Sequence, residues 1–122
     1  MKKTLLLAAA LAFSGAAQAE TWVCSEPTSS GGSYLSTYVR QGEEFSYTLT
    51  VPEVREQKSM TLEPEPAEIL VETDSMLTLA KIKPDGKSVG ITMINKITKQ
   101  FVGGAVNYDH AIGRSTGSCV RI

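Results

Sequence analysis

Strict alternation of apolar and hydroxyl side chains is the feature that most limits the fold of this chain. In residues 45–51, FSYTLTV, every second residue is apolar and the residues between are serine or threonine. Successive side chains of a β-strand point to opposite faces, so the pattern predicts a strand with one buried face. No long stretch of the sequence carries the 3.6-residue apolar period of an amphipathic helix.

Short segments of the same character recur along the chain, separated by turn residues. Residues 84–87, PDGK, lie between two apolar runs and predict a hairpin turn, because proline fixes φ and glycine accepts positive φ. Gly103 and Gly104 predict a bulge or bend. The predicted strands are 21–25, 34–40, 45–51, 76–83, 88–96, 101–108 and 118–122, with 59–62 and 67–73 as further candidates. Seven or eight short strands predict an all-β fold, a small antiparallel β-barrel or sandwich.

Three further segments are expected to lie outside the sheet. Residues 25–33, SEPTSSGGS, and 63–66, EPEP, predict exposed loops, and the two prolines of the second exclude a central strand there. Residues 67–73, AEILVET, named above as a candidate strand, could instead form one helical turn after Pro66. Residues 113–117, GRSTG, predict a turn.

The first 19 residues predict a secretory signal peptide. Lys2 and Lys3 precede an apolar run over residues 4–13, and Ala17-Gln18-Ala19 is a small-x-small cleavage site. The apolar run is too short to span a bilayer as a helix, and no second run of about 20 apolar residues follows. We therefore expect a single exported domain over residues 20–122, periplasmic or secreted, without a stable membrane anchor.

Cys24 and Cys119 are the only cysteines, and we expect them to form a disulfide. A lone pair in an oxidising compartment usually does so, and no CxxC redox motif is present. Closing a loop of roughly 95 residues stabilises a fold by about 4–5 kcal/mol in the chain-entropy model. The bond would join the first strand to the last, which suits a closed barrel or a sandwich.

Charge is distributed unevenly along the chain. Residues 20–74 contain eleven acidic and three basic residues, whereas residues 75–122 contain two acidic and seven basic ones. The two parts either pair across the sheet or form an acidic surface that meets a cationic protein such as a lysozyme-like enzyme or a toxin. No polybasic excess suggests nucleic-acid binding.

Residues for catalysis or metal binding are scarce. His110 is the only histidine, and Asp109 beside it would point to the other face of a strand. No nucleophile elbow accompanies it, so an enzyme with His110 as base is the least favoured reading. One histidine and two paired cysteines cannot complete a zinc shell, and no phosphate-binding glycine loop is present. We expect no metal and no cofactor.

The general plan resembles that of the small periplasmic inhibitors of c-type lysozyme. The shared features are a signal peptide, a mature chain of 103 residues, the W-x-C segment Trp22-Val23-Cys24, many short strands and a cysteine near the end. The resemblance covers the architecture only and implies a small β-domain of many short strands. The serine- and glycine-rich SGxKY-like loop motif of that family has no counterpart in this sequence.

The expected function is that of a non-enzymatic, exported protein-binding module, of the inhibitor or immunity type. Its candidate binding residues lie in the polar loops and near the last strand: Ser29, Ser30, Glu63, Glu65, Tyr108, His110 and Arg114. The alternative is a lipocalin-like carrier of a small apolar ligand. Its cavity would be lined by Phe45, Tyr47, Leu49, Met93 and Phe101.

Overall fold

Nine β-strands make up the regular structure of the residues that the computed structural model describes. These residues are 20–29, 31–53 and 56–122, with the backbone alone at 110–112. The predicted signal peptide lies outside them. The strands are β1 (Thr21–Pro27), β2 (Ser33–Gln41), β3 (Glu44–Val51), β4 (Met60–Thr61), β5 (Glu65–Glu72), β6 (Met76–Ile82), β7 (Ser88–Asn95), β8 (Gln100–Asn107) and β9 (His110–Arg121).

Eight of these strands close into an antiparallel barrel. Each pairs with its neighbour in the chain, except that β3 passes to β5, and β9 returns to pair with β1. The two-residue strand β4 pairs with the end of β3 as an addition to the barrel. The predicted all-β fold is confirmed, and among its two forms the chain adopts the barrel. The described residues include no helix long and apolar enough to cross a membrane.

The seam between β1 and β9 carries the predicted disulfide. Cys24 and Cys119 are directly opposite each other in the antiparallel register, with their Cα atoms 3.9 Å apart. Both side chains are buried inside the barrel. The bond therefore joins the first and last strands, 95 residues apart in the chain, as the sequence predicts. A buried disulfide in a barrel of this size fits an exported protein.

The last strand is much longer than predicted. Residues 113–117 are part of β9 and form no separate turn. The register shifts between Ile112 and Arg114, so Gly113 is an extra residue opposite Gly104 and Ala105. The bulge expected near Gly103 and Gly104 therefore lies in the facing strand. A bulge lets a long strand bend around a barrel without ending its ladder, and this keeps β9 continuous.

The prolines of residues 63–66 were expected to exclude a central strand, and the structure places one of them in a strand that is paired on one side at that point. Pro66 lies within β5 and is opposite Ser46 of β3. The β5–β6 ladder begins only at Glu68, so Pro66 has a strand neighbour on one side alone. A proline without an N–H is tolerated where no ladder bond is needed on its other side. The segment that follows is strand, not a helical turn.

One end of the barrel is filled by large apolar side chains. Trp22, Phe45, Leu77 and Ile94 have no exposed surface. Phe101 and the disulfide pack against the same cluster, and Ala67 leaves room opposite Phe45. This half of the lumen is the hydrophobic core, and it lies at the end where β1 and β6 begin. We call it the closed end.

Ion pairs and hydrogen bonds cover the closed end. The Trp22 indole N–H donates to Glu20 Oε2 at 2.7 Å, and Arg40 Nε donates to Glu20 Oε1 at 2.9 Å. Arg40 also pairs with Glu72, which accepts from Lys96 Nζ at 3.2 Å. Burial alone would raise the pKa of Glu20, but the bonds from Trp22 and Arg40 outweigh it and lower that pKa below its ordinary value.

Gly117 is expected to be irreplaceable. A Cβ at this position would lie 2.0 Å from the backbone oxygen of Ser25 and 2.7 Å from the Phe101 ring. Gly117→Ala should lower the free energy of unfolding by about 3 kcal/mol, since a close-packed interior cannot admit the methyl group without backbone movement. Gly113→Ala is the matched control, because nothing lies within 4 Å of its Cβ position. Equal urea midpoints for the two variants would contradict the packing described here.

Glu20→Gln is expected to reduce the dependence of stability on acid pH. A carboxyl whose pKa is lowered on folding stabilises the fold above its unfolded pKa, near 4.5, and this contribution is lost as pH falls through the folded pKa. At pH 7 the variant should be about 2 kcal/mol less stable, as expected for lost charge-assisted hydrogen bonds. The difference should disappear at the acid end of a urea-unfolding series. Glu63→Gln, at an exposed position, should leave the series unchanged.

Candidate binding site in the barrel lumen

The other end of the barrel is open and is bordered by four loops. Because successive strands of the barrel run in opposite directions, the connections that follow β1, β3, β6 and β8 all lie at this end. Their described residues are 28–29 and 31–32, 52–53 and 56–64 (with the short strand β4), 83–87, and 108–109. We call these four loops the rim. Exposed loops on a rigid barrel are common sites of recognition.

A cavity of about 250 Å³ lies in the lumen below the rim. That volume corresponds to about eight water molecules of liquid. The wall combines hydroxyl groups, aromatic rings and two charged side chains. Its residues are Glu26, Tyr34, Ser36, Tyr38, Tyr47, Leu49, Lys81, Thr92, Phe101 and Ser115.

Lys81 provides the positive charge of the cavity. It follows Leu77 and Leu79 on the inward face of β6, and its Nζ lies 3.7 Å from the centroid of the Tyr47 ring. Burial lowers the pKa of Lys81; Glu65 opposes this shift and Lys83 adds to it. No ion pair of the described residues includes Lys81, and a cation over an aromatic face keeps part of the stabilisation that a carboxylate would supply.

Gly90 leaves the space that the Lys81 side chain occupies along the cavity wall. The two residues are opposite each other in the β6–β7 register. A Cβ at Gly90 would lie 3.3 Å from Cε and 3.9 Å from Nζ of Lys81. Any larger residue at position 90 would therefore push the ammonium away from its present position.

Hydroxyl groups form the floor of the cavity, above the apolar core. The Tyr38 hydroxyl donates to Thr92 Oγ1 at 3.1 Å, deep in the lumen. Burial raises the pKa of Tyr38 and, less strongly, that of Tyr47, so both phenols are neutral. Ser115 completes the floor opposite Gly103. The floor thus offers neutral groups that both donate and accept hydrogen bonds.

Glu26 provides the negative charge, on the opposite wall from Lys81. Around the closed barrel three strands separate β1 from β6 in either direction, so these two strands face each other across the lumen. Glu26 lies on the inward face of β1 after Trp22 and Cys24, next to Tyr34 in the β1–β2 register. No ion pair among the described residues includes Glu26.

A salt bridge marks the mouth of the cavity. Lys83 Nζ donates to Glu65 Oε2 at 2.9 Å, and Glu65 is opposite Tyr47 in the β3–β5 register. Both side chains are about half exposed, so the pair contributes little to stability. It belongs to the entrance rather than to the cavity wall.

The structure brings most of the predicted binding residues to the open end. Ser29, Glu63 and Tyr108 lie in the rim, and Glu65 begins β5 beside it. The backbone of His110 begins β9 at the same end. Ser30 lies outside the described residues.

Arg114 is the exception among the predicted binding residues. It lies along β9, exposed on the outside of the barrel, opposite Gly104. It therefore borders neither the lumen nor the rim.

The predicted lining of an apolar cavity is correct in three residues of five. Tyr47, Leu49 and Phe101 line the cavity. Phe45 is buried in the filled half. Met93 points outward and is 45% exposed, because its neighbours Thr92 and Ile94 take the inward positions of β7.

Sequence reasoning missed the two charged residues of the lumen. The alternation Leu77, Leu79, Lys81 already places Lys81 on the inward face of its strand. Glu26 was expected in a loop, whereas β1 continues to Pro27 and β2 begins at Ser33. Parity along each strand was the signal that could have found both residues.

A larger hollow of about 780 Å³ lies against the outside of the barrel, over β1, β9, β8 and β7. Its surface is formed mainly by outward-facing residues of these strands, among them Met93, Val102 and Thr116. It contains no charged side chain. The lumen is the better candidate site, because it combines an apolar wall with convergent polar groups.

Two of the four ion pairs of the described residues join the acidic and basic parts of the chain, whereas the pairs of Arg40 with Glu20 and Glu72 lie within the acidic part. Lys83 pairs with Glu65, and Lys96 pairs with Glu72. Among the described residues, no group of three or more histidine, cysteine, aspartate or glutamate side chains could hold a metal ion.

Comparisons with protein-family models, curated proteins and solved structures found no match.

Proposed function

We propose that the protein is a non-enzymatic, exported binding protein that holds a small polar molecule in the barrel lumen. The observation that carries the proposal is the unequal filling of the barrel. One half is packed solid, whereas the half below the rim keeps a cavity of about 250 Å³. The interior of an eight-stranded barrel is either filled by its own side chains or wide enough for one small ligand, and a cavity lined by convergent polar groups favours the second arrangement.

The lining favours a polar ligand over the apolar one expected from the sequence. Leu49 and Phe101 offer apolar contact, but Lys81, Glu26 and the hydroxyl floor surround it. A purely apolar ligand would leave these groups desolvated without partners, which costs binding free energy.

Export is part of the same proposal. The Lys2-Lys3 start, the apolar run and the Ala17-Gln18-Ala19 site support cleavage after Ala19 and a periplasmic location. The Cys24–Cys119 bond is consistent with it, because disulfides persist in oxidising compartments.

Ligand binding in the lumen is tested by filling the cavity with a larger side chain. Ser115→Phe puts a ring into the cavity floor, whereas Thr116→Phe, the adjacent outward residue, puts the same ring on the outer surface. After incubation with a small-molecule extract of the host cell envelope, native mass spectrometry should show a bound molecule on the wild type and on Thr116→Phe. Ser115→Phe should have lost it. Equal retention by both folded variants, or no bound molecule on the wild type, would contradict lumen binding.

A second candidate function is protein binding through the rim. Tyr108 is 78% exposed in the turn between β8 and β9, and tyrosine is enriched at protein interfaces. Acidic Glu63 lies in the same rim and suits a cationic partner such as a c-type lysozyme.

Lysozyme inhibition measures this second candidate directly. The wild type should inhibit a c-type lysozyme, and Tyr108→Ala should weaken inhibition at least about tenfold, as expected for an interface aromatic. Ile97→Ser, which removes a side chain of similar exposure at the closed end, should have no effect. A wild type without inhibitory activity would eliminate a lysozyme as the partner.

A further inference from the structure

The ligand of the lumen is identified by the two charges that face each other across it. We propose that the cavity binds a small zwitterion, a free amino acid, with its carboxylate on Lys81 and its ammonium on Glu26. The proposal rests on the function proposed above and names the chemical class of the ligand.

Two unpaired charges of opposite sign are an unusual lining for a small cavity. Lys81 and Glu26 both border the same 250 Å³. Neither takes part in an ion pair of the described residues, although Glu65, Glu72 and Glu20 on the same barrel all do. Lys81 and Glu26 are both partly buried, and a charge removed from water is costly unless it is paired, so the cavity favours a ligand that brings a carboxylate to Lys81 and a cation to Glu26.

The closure of the barrel places the two charged side chains on opposite walls of the lumen. Lys81 on β6 and Glu26 on β1 approach from opposite walls, since three strands separate them on either side. Their side chains do not come within 4.0 Å of each other to form a salt bridge. A molecule between them could therefore contact both, which neither an anion nor a cation alone would exploit.

Lys81 is held in a position suited to a carboxylate. Its Nζ lies over the Tyr47 ring, and the absence of a Cβ at Gly90 leaves the space that its Cε needs. An ammonium of this kind is fixed in place but keeps donors that the ring does not use. The hydroxyls of Ser36, Tyr38 and Ser115 lie in the same cavity and can complete the hydrogen bonds of a bound carboxylate.

The apolar part of the cavity wall and the cavity volume limit the side chain of the bound amino acid. Leu49 and Phe101 provide apolar contact for a hydrocarbon side chain. A cavity of about 250 Å³ holds the volume of about eight water molecules, which suits a small molecule of about that many non-hydrogen atoms, close to the size of leucine.

The experiment compares each amino acid with analogues that lack one charge. The twenty standard amino acids are titrated singly into the purified protein by isothermal calorimetry. The strongest binder is then compared with its carboxylic acid lacking the amine and its amine lacking the carboxylate. Each analogue should bind at least about tenfold more weakly, the cost of one lost charge-assisted hydrogen bond.

Variants assign the two charges to the two walls. Lys81→Met should weaken the amino acid at least about tenfold and remove its advantage over the amine analogue. Glu26→Gln should remove its advantage over the carboxylic acid. Lys87→Met, which deletes an exposed lysine of the rim, should change nothing. The analogue series needs no variant, so a variant that fails to fold leaves the test intact.

The outcomes separate this inference from the proposed function. An analogue lacking one charge that binds as tightly as the amino acid would overturn the zwitterion. So would the absence of binding by any amino acid. If the lumen still retains a molecule from the envelope extract and Ser115→Phe abolishes it, lumen binding stands while the zwitterion fails.

Discussion

The pairing of β1 with β9 is the interaction on which the rest of the molecule depends. Without it the first and last strands would be open sheet edges, and the opposite walls of the lumen would not face each other. The disulfide lies within this seam, between directly opposed residues, and holds it from inside the barrel. Gly117 allows the same seam to close, because β1 and the Phe101 ring occupy the space of a side chain there.

The barrel has a composition gradient along its axis. Inward positions change from apolar to polar between the closed end and the open end on several strands. On β1 the order is Trp22, Cys24, Glu26, and on β6 it is Leu77, Leu79, Lys81. The closed end supplies the burial that stabilises the fold, whereas the open end carries groups that cost stability. The free energy gained by packing the closed end therefore offsets the cost of the polar groups at the open end.

Much of the fold could be predicted from the sequence, but the site could not. Alternation in residues 45–51 and the PDGK turn are local signals, and with the two cysteines they led to an antiparallel barrel or sandwich. Strand parity places Lys81 and Glu26 on inward faces, but only the closure of the barrel determines that β6 and β1 lie on opposite walls of the lumen. Met93 was placed inside on hydrophobicity alone, although Thr92 and Ile94 have the inward parity. The place of Pro66 in a strand could not be predicted, because it depends on β5 having a strand neighbour on only one side at that residue.

The 95-residue separation between the seam cysteines also has a consequence for how the protein folds. Hairpins such as β6–β7 and β7–β8 join residues close in sequence, so their chain-closure entropy is small and they can form early. The β1–β9 contact is the least local of the ladder and must wait until the intervening strands have made it short in space. We therefore expect the disulfide to form late, after most of the barrel has assembled, and to make the closing of the β1–β9 seam irreversible only in an oxidising environment.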